Sequence, residues 1–351
     1  MLQPIQMLML LSASLFVLLM LTLVYLILRK SADNRISRIR SAYMEQQQKH
    51  VYDYLLTGEE TRSLLPHGNK LKAEALEQLL LHCAGLFKGE DMEARIRSYA
   101  SKNLTDMYKG LLASRSWSSR MNTLYRVDKF DMSHLAAELE EAARNRRTTP
   151  EELALIYKLL ARWGRAAVPD LLLRPGNALS DYQRRIIFSA MTPELFEHFV
   201  VRMHRLPADW RYSLIDVIGI HRKSEYTAGL QKLADEQDIE LRIRALKALS
   251  FMDNVLPGEQ YILHARSDAW QERMMAAKLF ASFRSGLYTD ELVRLLGDPV
   301  WFVRSQAAQS LFSFPQGIAR LQEAAATSED LYAREMAAEW LEKGGAKVDA
   351  E

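Results

Sequence analysis

The residues with which this chain could do chemistry are eight histidines, one cysteine, and a periodic set of arginines, tryptophans and aspartates. The histidines stand at 50, 67, 82, 134, 198, 204, 221 and 264. A helical zinc hydrolase needs two of them one turn apart with a glutamate beside the first, and no His-Glu-x-x-His occurs. Glu194, Glu197 and His198 share a helix face, but no second histidine follows at i+4. His82 and Cys83 form a nucleophile pair only on paper, because adjacent helical positions do not face one another. The run Leu79-Leu80-Leu81-His82-Cys83-Ala84 makes Cys83 a small buried apolar residue instead. A single cysteine excludes an internal disulfide and a Cys-based zinc cluster. The phosphate-binding loop, the dinucleotide fingerprint and the Gly-x-Ser-x-Gly elbow are missing. These residues predict no catalytic group, no metal and no cofactor.

What remains is periodic. Arg211, Arg242, Arg273, Arg304 and Arg334 follow one another at intervals of 31, 31, 31 and 30. In the same register Trp270 matches Trp301, Ala276-Ala277 match Ala307-Ala308, and Phe283 matches Phe314. A shift of 184 places Trp117 on Trp301 and Arg120 on Arg304. Each period reads as two helices, a short apolar one such as that around Leu292, Leu295 and Leu296, then a second carrying Trp301, Val303, Ala307 and Leu311. Asp298 is placed to cap the second helix, with Pro299 where a missing N–H costs nothing. Thr192-Pro193 repeats that start signal. Paired alanines let neighbouring helices approach. About eight helix pairs fit between residues 100 and 343, with one more at 70–100. No run has β-type alternation, so the soluble part is expected to be all-α.

The Asp-x-x-Trp-x-x-Arg-x-x-Ala-Ala pattern resembles the HEAT-like helical repeats, in the compact form of about 31 residues related to phycobilin-lyase-type proteins. The likeness runs from Thr105 to Lys343 and is best from Trp210 onward. It implies an α-solenoid over residues 70–345, with residues 346–351 as a tail. It also implies a ladder running along the stack, formed by the aspartates of the intra-repeat turns, Asp238, Asp268, Asp298 and Asp330, with Arg242, Arg273, Arg304 and Arg334. Together with Trp117, Arg120, Arg211, Trp270 and Trp301, these residues are assigned to structure. An arginine at a repeat interface can keep its donors by bonding carboxylates and carbonyls of adjacent turns. Trp301 is expected to be a buried aromatic whose truncation costs about 3–5 kcal/mol.

The compartment is decided by the first thirty residues. Ile5 to Leu28 contains no charged side chain. As a helix it is about 36 Å long, enough to cross a hydrocarbon core of about 30 Å. Arg29, Lys30, Arg35, Arg38 and Arg40 follow, and no Lys or Arg precedes. The asymmetry predicts an uncleaved single-pass anchor over 1–30, N-terminus outside and the rest cytoplasmic. Residues 31–69 read as a basic juxtamembrane helix and linker, its cations beside anionic headgroups. Turn residues Thr57, Gly58, Pro66, His67, Gly68 and Asn69 mark its end.

A net charge of +2, from 46 basic and 44 acidic residues, argues against nucleic acid as the partner. The leading expectation is a bacterial membrane-tethered scaffold that binds another protein, itself membrane-associated. An enzyme of envelope or polysaccharide synthesis is one candidate for that partner. The outward positions of the second helices form the expected binding face: Arg244, Lys247, Met275, Lys278, Gln306 and Gln309. The alternative is a divergent enzyme or ligand-binding solenoid using the irregular repeats at 145–205, where Trp163, Asp170, Arg174 and Tyr182 depart from the period.

Overall fold

The computed structural model describes residues 2–59, 70–87, 89–174, 176, 178–283 and 286–348. Eighteen α-helices and a few 3-10 turns make up the regular structure, and no strand occurs among the described residues. The all-α expectation holds. The chain divides into two compact units, Met1–Glu152 and Leu153–Glu351.

The first unit opens with α1 (Leu2–Thr57), a helix of 56 residues. Its most apolar 18-residue window has a mean hydropathy of 2.6 and is unburied, so by length and composition it is able to cross a membrane. Where the sequence suggested a separate juxtamembrane helix, one helix continues from the apolar run through the basic cluster to Thr57. No Gly or Pro interrupts it after Pro4, so nothing in the backbone ends it earlier. Gly58, at φ 81°, turns the chain out of the helix. Pro66, His67, Gly68 and Asn69 lie outside the described residues.

The far end of α1 is part of a core. Val51, Tyr54 and Leu55 are buried against α2 (Lys70–Leu86) and α3 (Glu90–Leu112). Arg95 Nη1 donates to the carbonyls of Leu55 and Leu56, 2.6 Å each, satisfying the open end of the helix. Cys83 on α2 is fully buried and burial pushes its thiol up to about 11, so it is packing, as its apolar neighbours imply. Then come α4 (Trp117–Lys129), α5 (Ala136–Arg144) and α6 (Pro150–Arg162), in which the division between the units falls.

The second unit holds α7 (Val168–Leu172), α8 (Asp181–Ala190), α9 (Pro193–Val201), α10 (Ala208–Ile220), α11 (Thr227–Ala234) and α12 (Ile239–Leu249). It continues with α13 (Gln260–Ala265), α14 (Trp270–Ser282), α15 (Thr289–Leu295), α16 (Trp301–Phe312), α17 (Pro315–Thr327) and α18 (Leu331–Val348). Helices α8, α10, α12, α14, α16 and α18 pack one on the next as a row. Helices α11, α13, α15 and α17 pack against its members. The row is in register with the sequence period: α10, α12, α14, α16 and α18 start at 208, 239, 270, 301 and 331, intervals of 31, 31, 31 and 30.

Small residues set the spacing within the row. Ala245, Ala276, Ala277, Ala307 and Ala308 are wholly buried. A Cβ at Gly219 would lie 2.8 Å from the Ala248 Cα, so α10 and α12 touch there only because the position is glycine. Thr192 caps α9 from the side chain with Pro193 at the first position, as the sequence implied. The start of α16 differs. It begins at Trp301 rather than Pro299, and Asp298 acts from the turn before it, accepting from the Val300 N–H at 2.9 Å.

Candidate functional site

Two columns of side chains run along the row of second helices. The fourth residue of α8, α10, α12, α14, α16 and α18 is an arginine in every case: Arg184, Arg211, Arg242, Arg273, Arg304 and Arg334. Arg120 holds the same place in α4. A fourth-position side chain can fold back over the first turn, where carbonyls just before the helix point outward. Arg242 donates through Nη1 to Glu236 and Gln237, both at 2.9 Å. Arg273 does so to Ser267 and Asp268 at 2.8 and 3.0 Å, and Arg304 to Asp298 and Pro299 at 2.8 and 3.2 Å. Arg120 meets Ser114 and Arg115 in the same way, and Arg334 meets Ser328.

The opposite edge of the guanidinium takes a carboxylate from farther along the chain. Arg120 is bidentate on Glu152 at 2.6 and 3.1 Å, Arg242 on Glu272 at 2.9 Å twice, and Arg273 on Asp298 at 2.6 and 2.9 Å. This revises the expected ladder. Of the four aspartates, only Asp298 offers its carboxylate to an arginine of the column, and that arginine belongs to the preceding period. Asp238 caps α12 and accepts from the Tyr212 hydroxyl at 2.8 Å. Asp330 accepts from the Ala333 N–H at 3.0 Å, and Asp268 contributes its carbonyl. Glu152 and Glu272, third residues of α6 and α14, were missed. Their signal was a glutamate 30 to 32 residues after a column arginine. Among the described residues Arg304 finds no such acid, and it lies over the Tyr332 ring at 4.6 Å.

Glu272 also gathers His264 Nδ1 at 2.7 Å and the Ser267 hydroxyl at 2.8 Å. Burial opposes its charge, but donors from Arg242, His264 and Ser267 outweigh that and hold its carboxyl at about 2. A serine, a histidine and an acid are together here, yet the serine donates to the carboxylate and not to the imidazole. With the acid 2% exposed, the group works as a clamp between α12, α13 and α14.

The tryptophans are not a buried column. Trp117 and Trp301 are each 48% exposed. Both are first residues of their helices, and Trp117 Nε1 donates to the Thr149 hydroxyl at 3.2 Å. Trp270 stacks on Phe302, centroids 5.5 Å apart.

The second column is the ninth position: Asp216 on α10, Lys247 on α12, Lys278 on α14 and Gln309 on α16, spaced by 31 throughout. Asp216 is 4% exposed and was not foreseen as a centre. Arg244 bonds it directly, Lys247 Nζ lies 3.3 Å away and Arg185 Nη1 3.6 Å away. Arg244 also bonds Glu240 at 2.6 Å. The expected basic face is therefore largely compensated from within, since two of its three cations serve a buried acid. Lys278 differs. No carboxylate lies within 4 Å of it among the described residues, and its Nζ sits 4.3 Å from the Phe251 ring centroid. Burial, with the Lys247 ammonium beside it, holds it below the usual lysine range.

Lys278 opens into a hollow of about 620 Å³, whose wall includes Gln306, Gln309, Ser250, Ser282 and Ser313, with Arg222 and Asp253, 4.0 Å apart, beside them. The three serine hydroxyls each donate to the carbonyl three residues back. Their lone pairs are left for an incoming donor. Met275 lies outside that wall and is partly exposed.

The other expected residues do not converge. Trp163 lies beside Arg162 at the end of α6, Asp170 and Arg174 are exposed at α7, and Tyr182 lines a separate hollow of about 580 Å³ on α8 with Arg185, Ile186 and Ile220. Of the basic residues after the apolar run, Arg29, Lys30, Arg35 and Arg38 are exposed. Arg40 is instead paired with Glu74 on α2 at 2.6 Å. Among the described residues no cluster of three or more His, Cys, Asp or Glu is arranged to hold a metal. No protein-family model matches the chain, and no curated protein matches it either.

Proposed function

We propose that the chain is a membrane-tethered interaction scaffold of the HEAT-like kind, whose second helices form a solenoid face that takes a partner protein. The observation that carries this reading is the hollow at Lys278. It lies where three successive second helices meet, on the positions the period turns outward, and its Lys278 has no carboxylate within 4 Å among the described residues, the one acid of the wall, Asp253, being nearest to Arg222. The apolar part of α1 would hold the protein in the cell membrane. The cations from Arg29 to Arg38 would keep the helical units on the cytoplasmic side, with the N-terminus outside. The partner would then be a membrane-associated protein, an enzyme of envelope or polysaccharide synthesis being one class that fits.

The test is a photo-cross-linker at Gln309 in the full-length protein, in native membranes. The expected result is one abundant membrane protein cross-linked from Gln309 and lost with Lys278→Glu. Arg244 and Lys247 are unsuitable for charge reversal, because that would uncover Asp216. Cross-links only to lipid, or none above those from an exposed site such as Asp170, would sink the scaffold reading. A small molecule that raises the melting point through the Tyr182 hollow would favour a ligand-binding or enzymatic chain.

A further inference from the structure

The ninth-position column explains why one cation is left over. From α8 to α18 its residues are Ser189, Asp216, Lys247, Lys278, Gln309 and Glu339. Neighbours in the column come from adjacent helices and meet, as Lys247 and Asp216 do at 3.3 Å. Lys247 therefore has an acid on one side, and Lys278 has Lys247 on one side and a neutral carboxamide on the other. A partly buried ammonium that lacks an acid, with a like charge beside it, is an incomplete arrangement that an incoming anion completes.

The walls say which kind of anion. Beside the Lys278 ammonium and the Arg222–Asp253 pair, 4.0 Å apart, the hollow offers acceptors: the lone pairs of Ser250, Ser282 and Ser313, and the carboxamide oxygens of Gln306 and Gln309. A phosphate or a lipid headgroup phosphate brings only acceptors, which leaves these acceptors and the Asp253 carboxylate without a donor. A polypeptide brings a carboxylate for Lys278 together with backbone N–H groups for the serines and carboxamides, and carbonyls for the carboxamide NH₂ groups.

On this chemistry we infer that the hollow between α12, α14 and α16 binds an extended acidic segment of a partner protein, with one Asp or Glu carboxylate seated on the Lys278 ammonium. The inference rests on the scaffold reading and specifies what that scaffold recognises.

The experiment selects a random displayed peptide library against the full-length protein in nanodiscs. The expected outcome is enrichment of Asp- and Glu-containing peptides that bind Lys278→Gln about tenfold more weakly or worse, while Lys278→Arg retains them. Selected peptides without acidic residues, equal binding to Lys278→Gln, or no enrichment over empty nanodiscs would each overturn it. So would Lys278-dependent binding of inorganic phosphate, or of phosphatidylglycerol vesicles, in place of peptide. The two phosphate arms separate a soluble anion from a headgroup. If acidic peptides fail while the Gln309 cross-link still captures a membrane protein, the scaffold stands and only its recognition chemistry is wrong.

Discussion

The fourth-position and ninth-position columns run along the same helices and obey the same period, yet they are opposites. The fourth position is uniform in residue type. Arg120, Arg184, Arg242, Arg273, Arg304 and Arg334 reach carbonyls just before their own helices and, at three places, a carboxylate from later in the chain. The ninth position runs from Ser189 through an acid, two lysines and an amide to Glu339, and only part of it is neutralised. A residue repeated without change satisfies a need that every helix junction shares, namely its open carbonyls. A residue that varies along the same helices answers to something the junctions do not have in common.

The largest effect expected from breaking this contrast is at Glu272. Glu272→Ala leaves Arg242 and His264 without their acid, and should cost about 3–5 kcal/mol, read by hydrogen exchange in α12 and α14. Its pH dependence has a definite sign. The folded carboxyl titrates at about 2, below the ordinary value of 4.5. Its contribution is therefore complete above about pH 4.5 and is lost as pH falls towards 2, and the alanine variant should lack that loss in acid denaturation. Asp216→Asn comes next. It leaves Arg185, Arg244 and Lys247 around a neutral group and should cost about 2–3 kcal/mol by denaturant titration. Equal costs for the two acids would show the ninth column to be as structural as the fourth. Trp301→Ala should cost about 1 kcal/mol, because half its surface is already wet, against the 3–5 of a buried aromatic. A loss of the larger size would return the tryptophans to the core. Gln309→Glu should be smallest, within about 0.5 kcal/mol by thermal melting. It gives Lys278 an acid at the next position, so the Lys278 titration measured by NMR should move upward.

Much of the fold was legible because it is repeated. Helix starts fell on the 31-residue interval, and the alanine pairs are wholly buried. The apolar run after Ile5 announced a long helix, but not that the helix would continue to Thr57. Polar residues do not end a helix unless the backbone gives a reason, and none came before Gly58. Partners were less legible than positions. The arginines were found, but their acids come from 25 to 32 residues later in the chain, where Glu272 and Glu152 serve as well as an aspartate. The tryptophans had the right register and the wrong exposure, since periodicity tells where a residue recurs and not which side of a helix end it leans toward. Asp216 was invisible for a similar reason: a lone acid among Ile215, Val217 and Ile218 becomes meaningful only when three cations from other turns close on it.

The unbroken α1 has a rotational consequence. With residues 5–28 in a bilayer, the stretch from Leu28 to the Arg40–Glu74 contact is a rigid shaft of about 18 Å. Each residue inserted into it would swing the first unit by about 100° around the shaft and lift it about 1.5 Å. Seven residues would return it to within about 20° of its original bearing, some 10 Å farther out. The number of residues in the shaft, and not only their kind, thus sets the compass direction in which the first unit faces along the membrane plane.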